Sequence, residues 1–243
     1  MEEARTKVTV VIPVYNEALA ISELLRRVCK APMPDWCERE VIVVDDGSTD
    51  HTLETIREFI EEHPQWADMV RIHETLINHG KGAALRAGFK IAEGELVLVQ
   101  DGDLEYSPDD YPRLLEPFRD PEVHVVYGSR FFSGPPKGMR LPNLAANLIL
   151  TQLTRTLYGQ HITDEATGYK VFRRSVLDRF ELSCRRFEFC PEFTGHVLNA
   201  GLKIHEVPIS YDPRGILEGK KIKPSDGFVA VYWLLKVRFG ESA

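Results

Sequence analysis

Leu96-Val97-Leu98-Val99-Gln100-Asp101-Gly102-Asp103-Leu104-Glu105 is the stretch whose reading decides the fold. Its first half is a short continuous apolar run bounded by polar residues and glycine, which reads as a strand buried on both faces. Such strands belong to parallel sheets covered by helices, and ligands in those sheets sit at the carboxyl ends of the strands. Asp101 and Asp103 stand at that end. An Asp-Gly-Asp triplet alone is also a common solvated turn, and its place directly after a buried strand is what gives it weight. The two carboxylates can hold one hard divalent cation, and Gly102 lets a diphosphate approach closely. Glu105 is a third candidate oxygen ligand, and Mg2+ or Mn2+ suits such donors together with substrate phosphate.

Outward from this stretch the pattern repeats. Residues 7–14, 41–44, 70–73 and 123–127 read as further strands. Between them, Ile21, Leu24, Leu25 and Val28 recur at helical spacing, as do Leu53, Ile56, Phe59 and Ile60. Residues 82–92 and 110–118 read as helices, and Asn16 is placed to cap the first helix. Strand and helix alternate about five times, which predicts an α/β fold with a mostly parallel twisted sheet covered by helices on both faces. Polar clusters follow four strands: residues 15–17, 45–50, 101–105 and 128–130. The topology predicts that they converge on one edge; acidic, glycine-rich solvated loops are the bland alternative. Residues 133–142 hold four prolines or glycines in their first six positions and read as a mobile loop. Helices are expected over 144–158 and 227–239, and a late strand over 204–208.

Three further clusters carry chemistry. Asp45-Asp46-Gly47-Ser48 follows the second strand, and a carboxylate there can bind a base or ribose. Ser48 or Asp50 is expected to cap the next helix, which leaves Asp46 for a ligand. Asn78-His79-Gly80-Lys81-Gly82 precedes a helix, where backbone donors and the Lys81 charge would form an anion site. Its spacing is not that of a Walker loop. Tyr211-Asp212-Pro213-Arg214, with Lys220, Lys221 and Lys223 behind it, is a local basic cluster that suits a phosphate partner or is simply solvated.

The whole chain sets limits on these readings. Its 243 residues suffice for one large domain with a sizeable core. A net charge of -7 argues against a general nucleic-acid binder. The four cysteines, Cys29, Cys37, Cys184 and Cys190, lack the short pairing of zinc sites and read as reduced thiols. No run reaches the length of a membrane span, which is about 20 apolar residues. No secretory leader is read at Met1-Glu2-Glu3-Ala4, so a cytoplasmic location is expected.

With these residues in view, the chain resembles the inverting family 2 glycosyltransferases, and within them the polyprenyl-phosphate sugar synthases of the dolichol-phosphate mannose or glucose type. The motifs that carry the likeness are Val11-Ile12-Pro13-Val14-Tyr15-Asn16-Glu17, Val43-Val44-Asp45-Asp46-Gly47-Ser48-Thr49-Asp50, Asp101-Gly102-Asp103-Leu104-Glu105 and Gly128-Ser129-Arg130-Phe131. Asp164-Glu165-Ala166-Thr167-Gly168-Tyr169-Lys170 looks like the family's acceptor-side segment. The resemblance implies a Rossmann-like glycosyltransferase fold of the GT-A type. It implies Pro13, Tyr15, Glu17, Val44 and Asp46 around the nucleoside, with Lys81, Asp101 and Gly102 on the donor. It implies Asp103 and Glu105 on the metal beside Asp101, and Arg130, Arg214 and Lys220 on phosphates. The position of Glu105 is often Gln in the mannose enzymes.

A single domain over 1–243 is expected, with a nucleotide-sugar half at 1–130 and an acceptor half at 131–243. The resemblance further implies a nucleoside-diphosphate sugar donor, of the GDP-mannose or UDP-glucose type, and a polyprenyl phosphate acceptor. Apolar helices at 143–158 and 226–239 are candidates to lie on a membrane surface; packing in the core is their bland alternative. Anchoring is expected to be peripheral, supplied by a partner protein, or lost by truncation. Two rival functions stay open: transfer to a sugar hydroxyl, for which Asp164 or Glu165 would be the general base, and a non-catalytic sugar-nucleotide-binding subunit.

Overall fold

The computed structural model describes residues 5–213 and 224–240. One seven-stranded sheet runs in the order β3-β2-β1-β4-β6-β5-β7. The strands are β1 (Thr6–Val14), β2 (Cys37–Asp45), β3 (Val70–Glu74), β4 (Leu96–Val99), β5 (Val125–Ser129), β6 (Lys170–Arg173) and β7 (Ile204–Pro208). β6 is antiparallel to both neighbours, and every other pairing is parallel. The predicted α/β class with a mostly parallel sheet is the observed one.

Strand alternation builds the two cores. On one face, Val8, Val10 and Ile12 of β1 meet α1 (Ile21–Lys30), α2 (Thr52–Glu62) and α4 (Tyr111–Leu115) through Leu24, Phe59 and Leu114. On the other, Val11, Val44 and Val97 meet α3 (Lys81–Ile91) and α6 (Phe189–Asn199) through Leu85, Phe89 and Phe193. A smaller cluster joins α5 (Leu141–Tyr158) to α7 (Pro224–Phe239) through Leu150, Ala230 and Leu234. The four cysteines are free thiols. Among the described residues, no helix is long and apolar enough to cross a membrane.

Several sequence expectations need correction. β6 and α6 went unread. The strand Lys170-Val171-Phe172-Arg173 has only two apolar residues between charged ends. Lys170 is nevertheless fully buried, its Nζ donating to the Glu165 carbonyl at 3.0 Å and lying 3.8 Å from the Tyr127 ring centroid. α6 contains Pro191 and Gly195, which look like breakers. Pro191 sits in the first turn, where a missing N–H costs little. A Cβ on Gly195 would lie 2.8 Å from Tyr158 Oη and 3.0 Å from Val237 Cγ1, so the glycine lets α5 and α7 close onto α6.

α5 begins at Leu141 inside the expected loop, with Pro142 in its first turn. The helix expected over 110–118 is α4 followed by a 3-10 turn over Glu116–Arg119 with Pro117 at its second position. Asn16 caps no helix. It adopts φ 52°, and its side-chain oxygen accepts from Thr49 N at 2.8 Å, tying the end of β1 to the turn after β2.

Candidate functional site

The carboxyl ends of β1, β2, β4 and β5 face one edge, the first three through parallel pairings and β5 through its antiparallel pairing to β6, itself antiparallel to β4. Ser48 Oγ accepts from Asn16 N at 3.0 Å, and Thr52 Oγ1 from Glu17 N at 2.8 Å. These bonds bring the loops holding Tyr15, Glu17 and Asp46 together. Beside them, Gly102 lies so close to β1 that an added Cβ would be 2.8 Å from the Pro13 carbonyl oxygen. Any side chain there would push the Asp101–Asp103 turn away from β1.

Asp101 Oδ1 accepts from Lys81 Nζ at 2.5 Å, with both side chains about four-fifths buried. Burial works against the Lys81 charge, but Asp101 more than offsets it and raises the lysine pKa above its usual value. Asp101 also packs against Gly168, where an added Cβ would be 2.5 Å from Asp101 Oδ2. Asp103 Oδ1 accepts from Glu105 N at 3.0 Å. Glu105 Oε2 accepts from Tyr211 Oη at 3.3 Å, and the Glu105 carbonyl accepts from Asp212 N at 2.9 Å. Among the described residues no group of three or more His, Cys, Asp or Glu side chains surrounds one point. Asp103 and Glu105 offer carboxylate oxygens, the donor type that a divalent cation shared with substrate phosphates takes.

Arg130 is the cation at the end of β5. Its Nε and one terminal nitrogen donate to Asp164 at 2.7 and 2.8 Å, a bidentate pair. Its backbone N donates to the same carboxylate at 3.0 Å, as does Asn147 Nδ2, also at 3.0 Å. Burial opposes the charge on Arg130, and Asp164 outweighs burial and holds its pKa well above the usual value. The rings of Tyr211, Phe131 and Tyr106 have centroids 5.2, 5.9 and 6.0 Å from the guanidinium carbon.

Three site expectations change against this geometry, and a fourth is narrowed to one of its two residues. Asp46 is not left over: its carboxylate accepts from His79 N at 2.9 Å and Gly80 N at 2.6 Å, holding the loop before α3. The backbone anion site expected there is occupied from within, since Gly82 N and Ala83 N donate to the carbonyls of Arg186 and Arg185 at 3.0 Å. Val44 is fully buried in the core, so its side chain touches no ligand and only its backbone can. Asp50 caps by accepting from Thr52 N at 3.0 Å, whereas Ser48 donates to Asp45.

The two proposed bases are also spoken for. Asp164 accepts four hydrogen bonds, which fills a carboxylate's capacity. Glu165 is fully buried, with neither carboxylate oxygen hydrogen-bonded, and burial raises its pKa. Arg214 and Lys220 lie outside the described residues. The sequence reading missed Tyr106, Asn147 and Glu206, polar residues scattered across the chain with no local motif to mark them.

Residues 9–180 match the family model described as glycosyl transferase family 2. A dodecaprenyl-phosphate galacturonate synthase of Rhizobium johnstonii is 28% identical over 211 residues, covering 86% of this chain and 60% of that protein. An undecaprenyl-phosphate 4-deoxy-4-formamido-L-arabinose transferase of Pseudomonas aeruginosa is 33% identical over 217 residues, covering 88% of this chain and 60% of that protein. The chain thus spans about 60% of the length of these curated relatives. A glucosyl-3-phosphoglycerate synthase of Mycobacterium tuberculosis, solved with Mn2+, uridine diphosphate and glucosyl-3-phosphoglycerate, superposes with a TM-score of 0.73 at 20% identity, covering 98% of this chain and 82% of that one. The same enzyme with Mg2+ and uridine diphosphate gives 0.71 at 19% identity, covering 98% and 81%. That likeness shows the fold.

Proposed function

This chain belongs to glycosyl transferase family 2, and from that premise we propose that it transfers a sugar from a nucleoside-diphosphate donor to a polyprenyl phosphate, with inversion. The observation that carries the choice of acceptor is the engagement of Asp164 by Arg130 and Asn147. A sugar hydroxyl needs a base to take its proton, and neither Asp164 nor the sealed Glu165 is placed to serve. A phosphomonoester needs none, because its second pKa is about 6 and it is already largely dianionic at neutral pH. The names of the curated relatives, synthases and transferases on dodecaprenyl and undecaprenyl phosphate, support the same reading.

In this reading residues 1–130 take the donor and 131–243 the acceptor. Tyr15, Glu17 and Asp46 border the nucleoside, and Lys81 with Asp101 sits between it and the sugar. Asp103 and Glu105 would hold Mg2+ or Mn2+, which neutralises charge on the departing diphosphate. Arg130 supplies a fixed positive charge for the same group. An acceptor phosphate oxygen forms the new bond to the anomeric carbon from the opposite face, and the electron pair of the broken bond leaves with the nucleoside diphosphate. Arg214 and Lys220 are proposed to bind phosphate, donor or acceptor. The solved neighbours carry uridine diphosphate, which favours a uridine donor over a guanosine one.

The lipid acceptor places the protein at a membrane surface, with α5 and α7 toward it. Leu141, Leu148 and Ile149 of α5 and Phe228, Tyr232 and Phe239 of α7 are each at least half exposed. No Asp or Glu occurs in 131–163 or 227–240, in a chain of net charge -7. Apolar side chains with Arg155 on α5 and Lys236 and Arg238 on α7, where Asp226 is the one acidic residue of the two helices, suit an anionic lipid surface. Association is peripheral, direct or through an anchoring partner.

The test is nucleotide release from UDP-glucose, UDP-galacturonate and GDP-mannose with Mn2+ and undecaprenyl phosphate. Release is expected from a uridine donor, dependent on acceptor and abolished by chelator. Tight donor binding with no release in any combination would make the chain a non-catalytic binding subunit.

A further inference from the structure

Arg130 is held by more than one ion pair, and its restraints come from three elements distant in sequence. One carboxylate, Asp164, takes both the backbone N–H and the guanidinium fork of Arg130. Asp164 is itself clamped on two sides. From α5, Asn147 Nδ2 donates to its Oδ1 at 3.0 Å, while Asn147 Oδ1 accepts from Ala166 N at 3.3 Å. From β7, Glu206 accepts from Asp164 N at 3.0 Å, from Thr163 N at 2.7 Å and from Thr163 Oγ1 at 2.9 Å. Thr163 Oγ1 also lies 2.6 Å from Ser129 Oγ, next to Arg130 in the chain. Asp164 is fully buried and Asn147 nearly so.

This is more restraint than charge balance requires. One carboxylate in contact would neutralise the guanidinium, and a long arginine side chain could then keep several rotamers. Fixing the backbone N–H, Nε and one terminal nitrogen to the same anion leaves one orientation of the fork, with the second terminal nitrogen outside the pair. A catalytic charge acts most strongly when it is already in place as charge develops in the transition state. Resting on the reading that Arg130 meets a phosphate group of the reaction, we propose that Asp164, seated by Asn147 and Glu206, is the positioning residue that pre-sets Arg130. Its role is orientation of the cation, not proton transfer.

The proposal separates from a purely structural ion pair by kinetics. Asn147→Ala removes one bond to Asp164 and leaves the Arg130–Asp164 charges in place. It is expected to lower kcat for nucleotide release about tenfold while donor KM moves by less than about threefold, the pattern of an interaction made in the transition state. Asp164→Asn keeps the shape but loses the bidentate anion, and should lower kcat about a hundredfold, as misplacement of a catalytic group does. Adding Asn147→Ala to Asp164→Asn should cost less than about twofold more, because the first acts only through the second.

Folding is checked by the melting temperature; the Arg130 Nε–H resonance reports the restraint itself and should be slow to exchange in the wild type and fast in both folded variants. Release is counted with whichever acceptor the wild type uses, so a soluble acceptor would end the lipid-phosphate reading without touching this test. Unchanged kcat in folded Asn147→Ala, multiplying effects in the double variant, or lost activity with a fully protected Arg130 Nε–H would each overturn the proposal.

Discussion

Asp101 accepts a short bond from Lys81, whereas Asp103 turns back to its own loop and accepts from Glu105 N. Two like carboxylates, one residue apart, therefore have different partners. The lysine pair ties Asp101 to the start of α3, and Asp103 with Glu105 is the pair proposed to hold the cation. Asp103→Ala is expected to cut nucleotide release at least about a hundredfold, since the metal would supply several kcal/mol of charge stabilisation. Donor binding should lose its Mn2+ dependence, and the melting temperature should stay near that of the wild type. Wild-type release by this variant would remove Asp103 from the metal site.

Glu165 makes a second, independent prediction. Burial raises its pKa in the fold above the unfolded value, so the folded chain keeps a proton that the unfolded chain has lost. Stability is then full below the ordinary carboxylate pKa and declines as pH rises toward the raised folded value. Glu165→Gln cannot ionise, so its melting temperature should fall less than that of the wild type between about pH 5 and about pH 8. Parallel melting curves for the two proteins would show that the carboxyl finds a partner in solution.

At the scale of elements, α5 and α7 are two-faced. Leu150, Ala230 and Leu234 lock the helices together. Leu148 and Ile149 on α5 and Phe228 and Tyr232 on α7 stay outside that seam. If this face meets lipid, liposomes containing anionic lipid should float the wild type. Leu148→Glu and Phe228→Glu, at half-exposed and largely exposed positions, should each weaken flotation several-fold while changing the melting temperature little. Basic residues such as Lys236 and Arg238 would add about 1 kcal/mol each near such a surface. Flotation of both variants equal to wild type would leave the face without a lipid role.

Elements with strong periodicity were legible in the sequence for a physical reason. β4 and residues 10–14 of β1 and 41–44 of β2 are buried on both faces and so read as continuous apolar runs. α1 shows its helical stripe because its other face is in water. β6 was not legible, since its burial of Lys170 relies on a tertiary contact with the Tyr127 ring. α6 was not legible because Gly195 is needed for the close approach of Tyr158 and Val237, a requirement invisible before the fold is known. The site divides the same way. Asp101, Asp103 and Arg130 lie at strand ends where topology places ligands. The partners that orient Arg130 come from α5, β7 and the segment before β6, and only the folded chain brings them together.

For the whole molecule, one sheet carries both proposed halves. β5, β6 and β7 continue the edge formed by β1, β2 and β4, so donor-side and acceptor-side residues share one rim. The central claim about that rim is that the acceptor arrives already charged, because the carboxylates beside Arg130 are committed to holding it or sealed from solvent. The measurement that tests this most directly compares undecaprenyl phosphate with undecaprenol, its unphosphorylated alcohol, as acceptors in one assay with a labelled uridine-diphosphate sugar and Mn2+. The account predicts labelled lipid from the phosphate alone, with the rate falling as pH drops through the second phosphate pKa, about 6. Equal labelling of the alcohol, or transfer to a soluble sugar hydroxyl with neither lipid labelled, would contradict it.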